Sequence, residues 1–115
     1  MLKQIQRVRL ESDYRYILNH GKKSYAPFFL ISKASQRDTS LVSTRFGFIT
    51  SKKVGKATIR NKLRRQFREI IRKEIDTIKP GFDVVIVVSP KAVDVKFSEI
   101  QKELLKQLRL NSLLV

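Results

Sequence analysis

Cysteine is absent from this 115-residue chain, which excludes disulfides, thiolate zinc sites and cysteine nucleophiles together. Its absence suits a reducing cytoplasm, the compartment expected here. Histidine occurs once, at position 20, and acids are few, 10 Asp+Glu against 25 Lys+Arg. With no paired carboxylates at helical spacing outside charged surface contexts, the chain offers no catalytic constellation and no metal site. His20, beside a helix C-terminus, reads as a capping or surface residue. Long apolar runs are missing too. The longest is the five residues Val84 to Val88, far short of the ~20 that cross a bilayer. The N-terminus, MLKQIQRVRL, has no apolar stretch of about 7–15 residues, so no signal peptide is expected.

Positive charge is what the chain has in excess. A formal net charge of +15 repels itself in any compact state and calls for a polyanionic partner. Nucleic acid leads, ahead of an anionic membrane surface or an acidic protein. A hydrophobic fraction of 42% still suffices for a core, and the length fits a single domain, residues 1–115. The charge is unevenly spread. Between Arg45 and Lys73 stand eleven basic residues and one acid, Glu69, two-thirds of the net surplus. A merely solvated helix would interleave Glu with its Lys and Arg, so charge this concentrated reads as a binding surface.

Hydrophobic spacing predicts an α+β fold. A first helix opens at Ser12 as N-cap and closes before Gly21 as C′ residue, with Leu10, Tyr14, Ile17 and Leu18 on one apolar stripe. Lys23–Tyr25 reads as a short edge strand, Phe28–Ser32 as a bulky strand, and Arg45–Thr50 as a second full strand. The polar stretch Lys33–Ser43 reads as a loop. A basic loop, residues 51–56 (SKKVGK), leads into a long helix from about Ala57 to Ile78, stopped by Pro80-Gly81. Residues 82–88 (FDVVIVV) read as a strand buried on both faces or central in its sheet. A last helix from about Lys96 to Leu110 sets Phe97, Ile100, Leu104 and Leu108 on one face. The order α-β-β-β-α-β-α makes a sandwich of helices packed on a small mixed sheet.

At about 100° per residue, Ile59, Leu63, Phe67, Ile70, Ile71 and Ile78 share one side of the long helix. Asn61, Arg64, Arg65, Arg68 and Arg72 share the other. These five make a ladder about 16 Å long. Arginine forks bond phosphate in pairs and stack on bases. Lys52, Lys53 and Lys56 sit just before the helix start, where free N–H groups and the helix dipole also favour phosphate. A phosphate-cradling P-loop is excluded, because Thr50 and Ala57 stand where it needs Gly and Ser/Thr. A major-groove DNA module lacks its second helix, a membrane-surface helix lacks spare apolar residues, and a nuclease lacks clustered carboxylates. A ribosomal-type RNA-binding protein would share the charge and the ladder.

Residues 51–72, SKKVGKATIRNKLRRQFREIIR, resemble the signature of the bacterial ribonuclease P protein family, a Lys-x-Gly-x-Ala loop running into an Arg-Asn-x-x-x-Arg helix. Lys53, Gly55, Ala57, Arg60, Asn61, Arg64, Arg65 and Arg68 carry it. The Asp13-Tyr14 helix ending in Gly21, the strand around Phe29, Gly47, Asp83 and the amphipathic final helix extend it to nearly the whole chain. The resemblance implies a left-handed βαβ crossover through the long helix. It further implies a protein cofactor, without catalytic residues of its own, for a catalytic RNA that removes the 5′ leader of precursor tRNA. The partners would be that RNA and the leader, with no membrane and no small-molecule substrate. Mg²⁺ would be bound mainly through the RNA. By the same resemblance, Lys53, Arg60, Asn61, Lys62, Arg64, Arg65 and Arg68 would contact the catalytic RNA, to which the charge of the loop and ladder adds Lys52, Lys56 and Arg72, and Tyr14, Leu18 and Ser51 would line a leader cleft. Tyr14 also fits the apolar stripe, so a core role and a cleft role are both open. The sequence departs from the family pattern at Leu18 (a second cleft aromatic), at Ser89 (an Arg, with Lys91 nearby here) and at Lys62 (an Arg).

Overall fold

Five consecutive β-branched residues, Val84 to Val88, leave a strand nothing polar to show to water, and the fold gives it none on most of its length. In the computed structural model, which describes residues 6–37 and 43–115, this strand is β4 (Phe82–Val88). It pairs antiparallel with β2 (Phe29–Ser35) and parallel with β3 (Arg45–Thr50). A short edge strand, β1 (Lys22–Tyr25), completes the order β1-β2-β4-β3. Parallel neighbours need a crossover, and α2 (Ala57–Lys73) supplies it between β3 and β4.

Alternation divides β4 between two cores. Val84, Ile86 and Val88 face α2 and α3 (Phe97–Leu110), joined by Phe29, Ile31, Phe46 and Phe48. Val85 faces α1 (Glu11–His20) on the opposite side, with Val8, Ile17 and Ala34. The helical spacing read in α2 is the one that packs: Leu63, Phe67, Ile70 and Ile71 are buried. Phe67 meets Phe29 edge-on, 5.4 Å between ring centroids. Ile100, Leu104 and Leu108 of α3 are wholly buried in the same cluster. Among the described residues no helix is long and apolar enough to cross a membrane.

Several boundaries differ from the sequence expectation, each for a physical reason. α1 starts at Glu11 with Leu10 as N-cap, not with Ser12, and that cap makes no side-chain bond. Leu10 therefore leaves the apolar stripe and is 63% exposed. Gly21 is extended (φ −73°), not left-handed. A Cβ there would collide with Ser32 Oγ and the Ile17 carbonyl, and Ser32 Oγ uses the space to donate to that carbonyl at 2.7 Å. β2 begins at Phe29 and runs on to Ser35, because Lys33, Ala34 and Ser35 pair with Val84, Asp83 and Phe82. Lys33 Nζ also donates to the Asn111 carbonyl at the end of α3, at 2.6 Å. Residues 38–42 of the expected loop lie outside the described residues. α2 stops at Lys73, and a 3₁₀ turn, Ile75–Thr77, follows. Thr77 Oγ1 donates to the Glu74 carbonyl (2.8 Å), and the approach of Pro80 disfavours helix. Ile78 bridges to Leu114 instead of extending the helix. α3 begins at Phe97, with Lys96 as its N-cap.

A charged cluster ties the α1 side of the sheet together. Arg45 of β3 grips Asp83 of β4 with both prongs, Nε to Oδ1 at 2.9 Å and Nη2 to Oδ2 at 2.6 Å. Asp13 of α1 approaches the same guanidinium at 3.5 Å and holds Arg37 at 2.6 Å. The Arg45 and Asp83 side chains are only 16% and 8% exposed, which a charge pair tolerates when its geometry is bidentate. The hydrogen bonds to Asp83, more than any other cause, raise the Arg45 pKa beyond its already high value. Asp83→Ala would leave that guanidinium only the longer contact to Asp13, and is expected to lower the free energy of urea unfolding by about 3 kcal/mol. Asp83→Asn, which keeps one acceptor, should lose less in the same measurement.

Candidate nucleic-acid interface

With its large apolar residues turned to the sheet, α2 shows solvent mostly polar side chains. Asn61, Lys62, Arg65, Arg68 and Arg72 are exposed, and Arg60 and Arg64 are half-buried. Asn61, Arg64, Arg65, Arg68 and Glu69 line one groove of about 490 Å³, so most of the expected ladder is brought together. Arg64 donates to Asn61 Oδ1 within it. The Arg68 guanidinium stands 5.9 Å from the Phe48 ring centroid. Arg60 Nε is buried and makes no hydrogen bond. Arg72 stands apart from the other rungs. Its Nη2 and Nε hold Glu69 at 2.6 and 3.0 Å, a pairing that raises the Arg72 pKa and lowers that of Glu69. The one acid of the basic segment thus neutralises the last rung.

Ahead of α2, the basic loop is a 3₁₀ turn, Lys52–Val54. Val54 is buried and anchors it, while Lys52, Lys53 and Lys56 remain exposed. Lys56 is the N-cap of α2 and supplies no side-chain cap bond, which leaves the first-turn N–H groups suited to an external anion.

The second surface is the part of the sheet that α1 does not cover. The Tyr14 ring lies on Gly47, where a Cβ would sit 2.5 Å from ring atom Cε1. Only glycine lets the ring reach the sheet. Tyr14, Leu18, Ile49 and Val87 are half-buried around the small core under α1. Tyr14 therefore packs on that core, as the apolar stripe predicts, and keeps part of its ring open to solvent. Ser51 is exposed just past β3 and borders a groove of about 380 Å³ with Leu30, Val87, Ser89, Lys91 and Tyr25. Burial raises the Tyr14 pKa, opposed by a backbone hydrogen bond at Phe48 and by the charges of Arg68 and Arg64. Arg68 over the Phe48 ring and Tyr14 over Gly47 put the ladder and the open trough of the sheet at neighbouring residues of β3.

Sequence reasoning misses Leu30, Ile49 and Val87, because an apolar run predicts burial and cannot show where the covering helix ends. The Glu69–Arg72 pair carries a readable signal, its spacing of three residues on a helix. Among the described residues, no three His, Asp or Glu side chains converge to hold a metal.

The chain matches the family model described as Ribonuclease P over residues 2–110. The ribonuclease P protein component of Fusobacterium nucleatum is 38% identical over 101 residues, covering 84% of this chain and 88% of that one. The ribonuclease P protein of Thermotoga maritima, solved in complex with 1-(4-fluorophenyl)-2-thiourea, is similar at TM-score 0.80 and 34% identity, over 89% of this chain and 96% of that one. The ribonuclease P protein of Staphylococcus aureus reaches TM-score 0.87 over 96% and 98%. At 24% identity it speaks for the fold alone.

The Tyr14 environment yields a measurable pH effect. In a Tyr16→Phe, Tyr25→Phe variant, tyrosinate absorbance is expected to appear with a midpoint above the ordinary 10.0. Since the folded phenol keeps its proton longer than the unfolded one, its contribution to stability is intact below pH 10 and is lost as pH rises through the folded midpoint.

Proposed function

The chain belongs to the ribonuclease P protein family, and from that membership we infer that it is the protein subunit of a ribonucleoprotein that removes the 5′ leader of precursor tRNA. In this reading the arginine ladder and the basic turn bind the catalytic RNA, the trough receives the leader, and the active site belongs to the RNA. The observation that supports it best is the adjacency of the two surfaces along β3, where Arg68 stands over the Phe48 ring and the Tyr14 ring lies on the neighbouring Gly47. A single strand can lay its phosphates on the arginines while its bases turn onto the sheet.

Each part has a physical task. Arginine forks neutralise phosphates and release their counterions, which makes binding strong and salt-sensitive. Tyr14 offers a face for stacking, worth ~1–3 kcal/mol per base. The phenol is neutral at neutral pH, so it does not repel a phosphate-rich ligand. Leu18 supplies apolar packing where a second aromatic ring would stack. Mg²⁺ is proposed to be bound mainly through the RNA.

Two substitutions should move the salt dependence in opposite directions. Arg68→Ala is expected to weaken binding to ribonuclease P RNA and to flatten the slope of log K against log salt by ~0.7–0.9, one phosphate contact. Glu69→Gln frees Arg72 and should steepen the same slope, as filter binding over a salt series would reveal. The deciding assay is cleavage of precursor tRNA at low Mg²⁺ by a bacterial ribonuclease P RNA. Cleavage at the mature 5′ end only when RNA and protein are both present is the expected result. Tight RNA binding without stimulation would leave a plain RNA-binding protein, and cleavage by the protein alone would overturn the placement of the active site.

A further inference from the structure

The registers of the four strands define a row that crosses the whole sheet on the α1 side. Tyr25 of β1 pairs with Leu30 of β2, Leu30 with Val87 of β4, and Val87 with Ile49 of β3. Paired residues point to the same face, so these four side chains form one continuous line. With about 4.8 Å between neighbouring strands, it is about 14 Å long. In the adjacent row, Lys23, Ser32, Val85 and Gly47, the last three lie under α1: Ser32 and Val85 are wholly buried, and Gly47 carries the Tyr14 ring. α1 therefore roofs one row and leaves the next as an open trough. Its β3 end adjoins Tyr14 and the arginines, and its β1 end is Tyr25.

Tyr25 is 76% exposed, the one aromatic among the exposed large hydrophobic residues described. It shares the groove that holds Lys91, and Lys23, two residues back on the same face of β1, is exposed as well. Lysines on an edge strand discourage strand addition, but an exposed tyrosine there does the opposite, so edge protection does not account for it. An aromatic face flanked by cations, at the end of an apolar floor, is the chemistry that single-stranded nucleic acid meets in its binding grooves. The lysines and the unbroken link to the arginine ladder favour RNA over an acidic peptide.

We propose that Tyr25 is a base-stacking residue at the far end of the trough, adding one nucleotide of single-stranded RNA to the length that Tyr14 and the sheet already hold. This rests on the reading that the trough receives the leader.

The test uses the reconstituted holoenzyme and precursor tRNAs whose leaders lengthen one nucleotide at a time. Wild-type affinity should climb and then level off. Tyr25→Ala should level off one nucleotide earlier, at a value about five-fold or more weaker, and Tyr25→Phe should follow the wild type. An abasic residue at the last effective leader position should weaken wild-type binding to the Tyr25→Ala level without further weakening that variant. If Tyr25→Ala tracks the wild type at every length, Tyr25 has no part in leader binding, although the trough reading stands. Equal loss at all lengths, mature tRNA included, would place Tyr25 on another surface and overturn the proposal. Wild-type binding that ignores leader length would remove the trough reading and this inference together.

Discussion

Strand β4 is hydrogen-bonded on both edges, to β2 and to β3, and it is packed on both faces. Every other element takes its position from that double constraint. Val84, Ile86 and Val88 set the depth at which α2 and α3 sit, and α2 can present arginines outward only because Phe67 and its neighbours are held inward. On the other face Val85 receives α1, and Asp83 binds Arg45 and so fixes β3 against β4 with charge as well as hydrogen bonds. The opening beside α1 is a product of the same arrangement. A ten-residue helix cannot roof a sheet as broad as four strands, and what it leaves bare is the floor of the trough.

The positive charge is handled in three ways. Arg45 and Arg37 are absorbed by Asp83 and Asp13, where they hold elements together. Arg72 is matched along its own helix by Glu69. The remaining rungs and the basic turn face water, where self-repulsion works against the compact state. A bound polyanion removes that repulsion, and anything that binds the native chain alone stabilises it by mass action. Any affinity for a polyanion is therefore linked to the stability of the fold through the same side chains.

What the sequence made legible is the set of features that repeat along one element. The spacing of Leu63, Phe67, Ile70 and Ile71 against that of Asn61, Arg64, Arg65 and Arg68 gave the long helix, its buried side and its polar side. The β-branched run gave the central strand. Features that depend on a second element were out of reach. Gly21 carries the mark of a left-handed helix end, but its role is to let Ser32 approach, and Ser32 belongs to another strand. Lys33 to Ser35 read as loop because their partners on β4 lie far along the chain. Ile78 continues the helical spacing by coincidence and is drawn out by the C-terminal tail. Val87 looks like core, and only the length of α1 decides that it is half open. The ladder was visible in advance, and the trough beside it required the registers.

The strand order also sets a schedule. Among the described residues, apart from the single bridge between Arg7 and Phe46, β3 has no neighbour in the sheet except β4, and β4 leaves the ribosome only after the whole of α2. The helix that carries the arginines is thus synthesised before the strand that gives it a surface to pack on. During that interval its basic residues emerge on an unanchored chain, where they attract any polyanion without geometric selection. The surface that orders them arrives only with β4, and a chain cut short between residues 73 and 82 would carry nearly all of the net charge without the strand that α2 packs on.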